Sequence, residues 1–240
     1  MNLLLTRPKT SSEVAAKKLV GLGHVVTIEP MLNIVPLAKQ RFDKNFSAVV
    51  FTSQNAVRVF CENNPNWLSD YTGEVFAVGP RTAQAVADNG FSRVVVGSGD
   101  VDSLALLVVA SLGAPHDNIL FPRGKHVKGD LQGILAKNGF RVEPAVLYEA
   151  QAVISFSAAT LRALKAGQFD YILFYSARTA GTFINLAEKA NIKLLAKTTA
   201  LALSEDIAKV LEKLNWRSIV VACEKTEQAL FECINNDKIN

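Results

Sequence analysis

Eight short polar clusters in this 240-residue chain each follow a run of apolar residues, and their residue types suit the binding of anions. They are Thr6-Arg7-Pro8, Thr52-Ser53-Gln54-Asn55, Gly79-Pro80-Arg81-Thr82, Gly97-Ser98-Gly99, Arg123-Gly124-Lys125, Ser176-Ala177-Arg178, Ser204-Glu205-Asp206 and Glu224-Lys225-Thr226. Seven of the eight carry Ser or Thr and five carry Arg or Lys, which is more than helix capping alone requires. If the apolar runs are parallel strands, these clusters fall at the carboxyl ends of the sheet, where ligands of open α/β sheets lie. Several also open a helix, whose free N–H groups and dipole hold carboxylate or phosphate. Taken singly, Ser53, Ser176 and Ser204 are good N-caps in any protein. Taken together, the clusters predict a cleft for a polyanion.

One further stretch, Phe140–Gln151 (FRVEPAVLYEAQ), leads from an apolar strand through Glu143-Pro144 to Tyr148 and a polar connection. It has an earlier echo at Val26–Val35 (VTIEPMLNIV), which also carries Glu-Pro. A tyrosine in such a place offers a phenol that is protonated at neutral pH, its ordinary pKa being about 10.

The elements that must position these residues alternate. Short apolar runs read as strands at Leu3–Leu5, Val25–Ile28, Ala48–Phe51, Val75–Val78, Val94–Val96, Ile119–Phe121, Arg141–Glu143, Tyr171–Phe174, Ala200–Leu203 and Ile219–Ala222. Segments of helical period lie between them, such as Ser11–Leu22, with apolar residues at Val14, Ala15, Leu19 and Leu22 and a stop at Gly23. Strand–helix alternation of this kind implies parallel sheets covered on both faces.

The two halves also repeat each other. Asn2–Pro8 matches Asn118–Gly124, Glu29-Pro30 matches Glu143-Pro144, and Val49–Ser53 matches Ile172–Ser176. Each half supplies five strands, a to e. The long connections after strand b are the natural linkers. They predict a discontinuous domain of residues 1–35 plus 151–240 and an inserted domain of residues 36–147, with connectors near 29–37 and 144–152. The expected class is α/β, each domain a five-stranded parallel sheet with helices on both faces.

Composition excludes several classes. Apolar residues make up 49% and charged residues 20%, so full cores form and disorder is not expected. A net charge of +4 favours an anionic partner but is far from a nucleic-acid footprint. The longest apolar run, Leu104–Ala110, is too short to span a membrane, and MNLLLTRPK is too short in its apolar part for a signal peptide. Three cysteines without CxxC spacing read as reduced thiols of a cytoplasmic protein with no zinc site. His24, His116 and His126 are scattered among turn residues, and no metal-ligand cluster or glycine-rich nucleotide loop is evident. Nothing resembles a coiled coil or dimer helix, so a monomer is expected.

In order, spacing and position, the motifs Thr6-Arg7-Pro8, Phe51-Thr52-Ser53-Gln54-Asn55-Ala56-Val57, Ala77-Val78-Gly79-Pro80-Arg81-Thr82-Ala83, Arg123-Gly124 and Val146-Leu147-Tyr148 resemble the uroporphyrinogen-III synthase family over nearly the whole chain. The resemblance implies two flavodoxin-like domains joined by a two-stranded connector. It implies cyclisation of hydroxymethylbilane, a linear tetrapyrrole with eight carboxylates, to uroporphyrinogen III, with inversion of ring D, loss of water and no cofactor. By the same resemblance Tyr148 matches the tyrosine that helps the hydroxyl leave. Thr6, Arg7, Ser53, Asn55, Thr82, Arg123, Gly124 and Ser176 fall at substrate-binding loops, and Lys128 near a basic position often arginine. The chain departs from the family at Ser204-Glu205-Asp206, where many members have Gly-Pro-Thr-Thr; Ser204 is the donor that remains. Partners implied are the tetrapyrrole substrate and a transient contact with the preceding enzyme of the pathway. Two other readings fit the residues: a two-domain protein that binds an acidic small molecule without reacting it, and a sugar-nucleotide transferase, which lacks its expected loops here.

Overall fold

The computed structural model describes residues 1–91, 93–113 and 117–236; His116 lies outside them. The chain divides into two compact units, one made of Met1–Asn33 with Gln151–Asn240 and the other of Ile34–Ala150. The fold is α/β with parallel sheets and covering helices.

In the first unit the strands are β1 (Asn2–Leu5), β2 (Val25–Ile28), β9 (Tyr171–Phe174), β10 (Leu194–Ala202) and β11 (Asn215–Val221). They form one parallel sheet in the order β2-β1-β9-β10-β11. Strand pleating sends successive side chains to opposite faces. Leu3 and Leu5 therefore pack with Ala15 and Leu19 of α1 (Lys9–Gly21) and Leu230 of α9 (Glu227–Asn236). Leu4 faces the other core, with Phe183 of α7 (Ala177–Lys189), Leu164 of α6 (Ala158–Lys165) and Leu211 of α8 (Glu205–Leu211). All three leucines of β1 are fully buried.

The second sheet is made of β3 (Leu32–Pro36), β4 (Ala48–Phe51), β5 (Glu74–Ala77), β6 (Val94–Val96), β7 (Asn118–Gly124) and β8 (Arg141–Ala152), of which all but the first two residues of β3 and the last two of β8 belong to the second unit. Their order is β3-β8-β7-β4-β5-β6. The same pleat divides Val49 and Phe51, which pack with α2 (Gln54–Asn63) and α3 (Pro80–Ala87), from Ala48 and Val50, which face α4 (Val101–Leu112) and α5 (Leu131–Lys137). In repeat notation both sheets read b-a-c-d-e, although in the second unit strands c, d and e precede a and b along the chain.

The second sheet departs from the five parallel strands expected, because β3 joins it as a sixth. Leu37 N–H donates to Leu147 C=O and Val153 N–H to Met31 C=O, so β3 runs antiparallel to β8. The strand expected at Arg141–Glu143 also runs on past Pro144 to Ala152. Pro144 pairs with Phe121 inside a strand of 12 residues. It is tolerated because β3 ends before reaching it, so the missing N–H lies on an open edge.

Among the described residues, no helix is long and apolar enough to cross a membrane, and no group of three or more potential ligands is placed to hold a metal ion.

Candidate functional site

Three of the sequence-selected residues meet in the second unit. The Tyr148 phenol oxygen lies 2.9 Å from Ser53 Oγ. Ser53 is the N-cap of α2, its backbone extended and its Oγ accepting from Ala56 N–H at 3.1 Å. The Tyr148 ring lies against Gly124. A Cβ built there would stand 2.8 Å from Cζ and 2.9 Å from Cε2 of the ring, so any side chain displaces it.

A break in strand register brings this about. Arg123 pairs with Val146, but Gly124 pairs with Tyr148, which leaves Leu147 as an extra residue on β8. Alternation would send Leu147 and Tyr148 to opposite faces; instead both join the same core as Phe51 and Val57. Such a bulge re-aims a side chain, and here the side chain is the tyrosine.

Tyr148 is 8% exposed. Burial raises its pKa above the ordinary tyrosine value, while the Ser53 hydrogen bond and the Arg58 charge pull against that rise. The phenol is therefore a neutral hydrogen-bond donor at physiological pH, with a cation near enough to favour the phenolate once the proton leaves. Arg58, one turn into α2 and paired with Glu62 at 2.8 Å, escaped the sequence reading. Nothing in a helical arginine four residues before a glutamate signals more than a surface pair.

The neighbouring loops carry the other candidates of this unit. Asn55 is half-buried in the first turn of α2, and Thr82 is buried in the first turn of α3, 5% exposed. Gln54 Nε2 donates to the Arg81 carbonyl at 3.1 Å, which ties the two helix heads together. Arg123 folds back on the carbonyls of Gly124 and Lys125 at 3.4 and 3.5 Å, and its Nε is buried with no hydrogen-bond partner among the described residues. Lys128 is exposed. Lys125 and His126 reach Glu149 at 3.0 and 3.8 Å.

In the first unit the candidates are more deeply tied into the fold. Thr6 is fully buried and donates its hydroxyl to the Leu173 carbonyl at 2.7 Å, joining the ends of β1 and β9. Arg7 lies 4.4 Å from the centre of the Tyr175 ring and 3.0 Å from Glu227, a carboxylate that also takes Lys18 at 3.0 Å. Ser176 caps α7, accepting from Thr179 N–H at 3.2 Å. Ser204 stands at the head of α8 without a side-chain cap bond, beside the exposed Glu205 and Asp206. It borders a hollow of about 590 Å³ lined also by Cys223, Glu224 and Lys225.

Two further residues were not singled out for their side chains. Glu29 is 8% exposed and accepts from Ser157 N–H (2.8 Å), Ser157 Oγ (2.7 Å) and Thr160 Oγ1 (2.6 Å), fastening the end of β2 to the head of α6. Glu227 does the comparable work for Arg7. The available signal for Glu29 was the Ser157-x-x-Thr160 helix start, which lacks a capping acid of its own.

Comparison with known proteins gives a consistent set. The family model described as uroporphyrinogen-III synthase HemD matches residues 13–232. A porphyrin biosynthesis protein HemD from Ruminiclostridium josui is 25% identical over 230 residues, which is 91% of this chain but 45% of that protein. The chain thus spans less than half the length of that relative. A crystal structure of uroporphyrinogen-III synthetase from Helicobacter pylori superimposes with a TM-score of 0.67 at 18% identity, covering 98% of each chain. A mutant uroporphyrinogen III synthase from Thermus thermophilus gives 0.55 at 18% identity over 99% and 98% of the two chains. At these identities the structural likeness concerns the fold.

Proposed function

Since the chain belongs to the uroporphyrinogen-III synthase family, we propose that it is a cyclising lyase that converts hydroxymethylbilane to uroporphyrinogen III, inverting ring D and releasing water without a cofactor. The observation that carries the catalytic reading is the buried, neutral Tyr148 phenol fixed by Ser53 and Gly124.

The pyrroles are electron-rich, so the substrate brings its own nucleophile. Tyr148 donates to the ring A hydroxyl as its C–O bond breaks, and water leaves. The cation that remains is stabilised by the pyrrole nitrogen. Ring D then attacks through its substituted carbon to give a spiro intermediate, which opens and closes again in the inverted sense. The proton lost as the macrocycle regains its pyrrole aromaticity restores the phenol. General acid assistance of this kind is worth roughly 10²–10⁴-fold, and holding ring D supplies the selectivity.

Asn55, Thr82, Arg123, Gly124 and Lys128 in one unit, with Ser176 and Ser204 in the other, are the proposed contacts to the eight carboxylates, while Ser53, first read as one of them, bonds to Tyr148. The geometry favours an anchoring role for Thr6 and Arg7, through Leu173 and Glu227. In its finer description each unit is read as flavodoxin-like, since the order b-a-c-d-e is the 2-1-3-4-5 order of that fold. A cytoplasmic monomer, in transient contact with the enzyme that supplies the bilane, completes the proposal.

The test is to give the purified protein freshly prepared hydroxymethylbilane, oxidise the products and resolve the porphyrin isomers. Type III product is expected. Type I alone, the product of unassisted closure, would overturn the proposal and leave the reading of an acidic-ligand binding protein.

A further inference from the structure

The sequence places Ser53 among the substrate contacts, but its hydroxyl is engaged inside the protein. Its Oγ accepts the Ala56 N–H and lies 2.9 Å from the Tyr148 oxygen. A serine hydroxyl has one proton to give. Either oxygen of the Ser53–Tyr148 pair can donate, and the Ala56 N–H takes one of the two serine lone pairs. We propose that Ser53 is a positioning residue for Tyr148: its hydroxyl donates to the phenol oxygen, so that the phenol's own proton is turned outward to the leaving group. Ser53 then completes a three-sided seat for the ring, with the β8 bulge behind it and the bare Gly124 beneath it. The helix cap fixes the serine, and the serine fixes the phenol. When the phenol proton is transferred, the same Ser53 bond is already directed at the oxygen that becomes negative, and a hydrogen bond to an ionised acceptor is about twice as strong as a neutral one.

The kinetic part of this inference rests on the proposed synthase activity; the structural part does not. Glycine is a tolerated N-cap, so Ser53→Gly removes the hydroxyl with little effect on the fold. Turnover is expected to fall about tenfold in Ser53→Gly, with KM within about twofold, and about a hundredfold in Tyr148→Phe. The double variant is expected to be no slower than Tyr148→Phe alone, because the serine then has no phenol proton to aim. Ser53→Thr, which keeps both bonds, restores turnover. A raised KM in Ser53→Gly, or losses that multiply in the double variant, would show a direct substrate contact and overturn the assignment.

A second readout needs no activity. Ultraviolet titration of the tyrosinates identifies Tyr148 as the step missing in Tyr148→Phe, and that step is expected to move to higher pH in Ser53→Gly. An unmoved step would sink the proposal whatever the isomer assay gives. A moved step with type I product alone would retain the Ser53–Tyr148 pairing and reject the synthase reading.

Discussion

Replacing Gly124 by alanine tests the seat of Tyr148 directly. Gly124 is not one of the glycines with positive φ, so alanine meets no backbone penalty there. The whole cost arises from the ring. An added Cβ would stand 2.8 Å from Cζ, 2.9 Å from Cε2 and 3.1 Å from the hydroxyl oxygen. Carbon contacts settle near 3.5–4.0 Å, so the ring must withdraw by roughly 0.7–1 Å. Tyr148 is buried, and a movement of that size disturbs the 2.9 Å bond to Ser53. Overpacking of a core costs about 1–3 kcal/mol and a weakened bond up to about 1 more, so Gly124→Ala is expected to destabilise the second unit by about 1–4 kcal/mol. Each unit holds one tryptophan, Trp67 in the second and Trp216 in the first. Trp67 fluorescence in a Trp216→Phe background therefore follows the second unit through a urea titration, read as a lower midpoint at unchanged slope. In a Tyr148→Ala background the added methyl finds open space and most of the cost is expected to vanish. The same loss in both backgrounds would refute the reasoning, since the penalty would then have nothing to do with the tyrosine.

Other outcomes follow from the same geometry. Glu29→Ala removes the acceptor of three hydrogen bonds and is expected to cost the first unit about 2–4 kcal/mol, read from Trp216 on urea unfolding, with Glu29→Gln intermediate. Arg7→Ala removes the less exposed of the two cations that pair with the buried Glu227 and is expected to cost about 2–3 kcal/mol, against less than ~1 for the exposed Lys18→Ala. If Arg7 instead serves the substrate, KM rises while the unfolding midpoint stays. Burial, aided by Glu62, pushes the Cys61 thiol up to about 11 from 9.0. At pH 8 its thiolate is thus roughly a thousandth of the total, and iodoacetamide is expected to label the exposed Cys223 well before Cys61. Because the folded value is the higher one, the stabilisation from neutral Cys61 is complete below pH 9 and fades as pH rises through about 11, a loss absent from Cys61→Ala.

What the chain revealed before its structure divides along physical lines. Runs such as Leu3–Leu5 and Tyr171–Phe174 were legible because a strand buried on both faces must be apolar at every position, and all seven residues are buried. Helix heads at Ser53 and Ser176 were legible because N-caps act locally. Of β3, its place in a connector near 29–37 was legible, but its joining the second sheet as a sixth strand was not, since Leu32–Pro36 is short and ends in a proline and its pairing depends on β8, more than a hundred residues away in the chain. The strand expected at Arg141–Glu143 stopped short of Pro144 because the sequence does not say which strand edges are open. Tyr148 and Gly124 were chosen from motif resemblance; that they touch depends on a one-residue bulge, which no local pattern announces. The partners of Arg7 and Glu29 were hidden for a similar reason. Glu227 and Ser157 are distant in sequence, and a buried acid looks like any other acid in a composition.

The interrupted path of the first unit has a consequence for the order in which the protein can be built. Strand β1 finds β2 within a few turns of chain, but its other neighbour is β9, and Asn2 N–H meets the Asp170 carboxylate across 168 residues. At translation rates of about 5–20 residues per second, β1 waits roughly 8–30 s for that partner to be synthesised. The second unit, one unbroken stretch, can close during the wait. Until β9 arrives, Leu3, Leu4 and Leu5 are three core side chains on a strand with a bare edge, the kind of segment that invites pairing with another chain. Slow decoding between Ile34 and Ala150 lengthens that exposure. Synonymous codon changes in the second unit are thus able to lower the yield of the first while altering no residue in either.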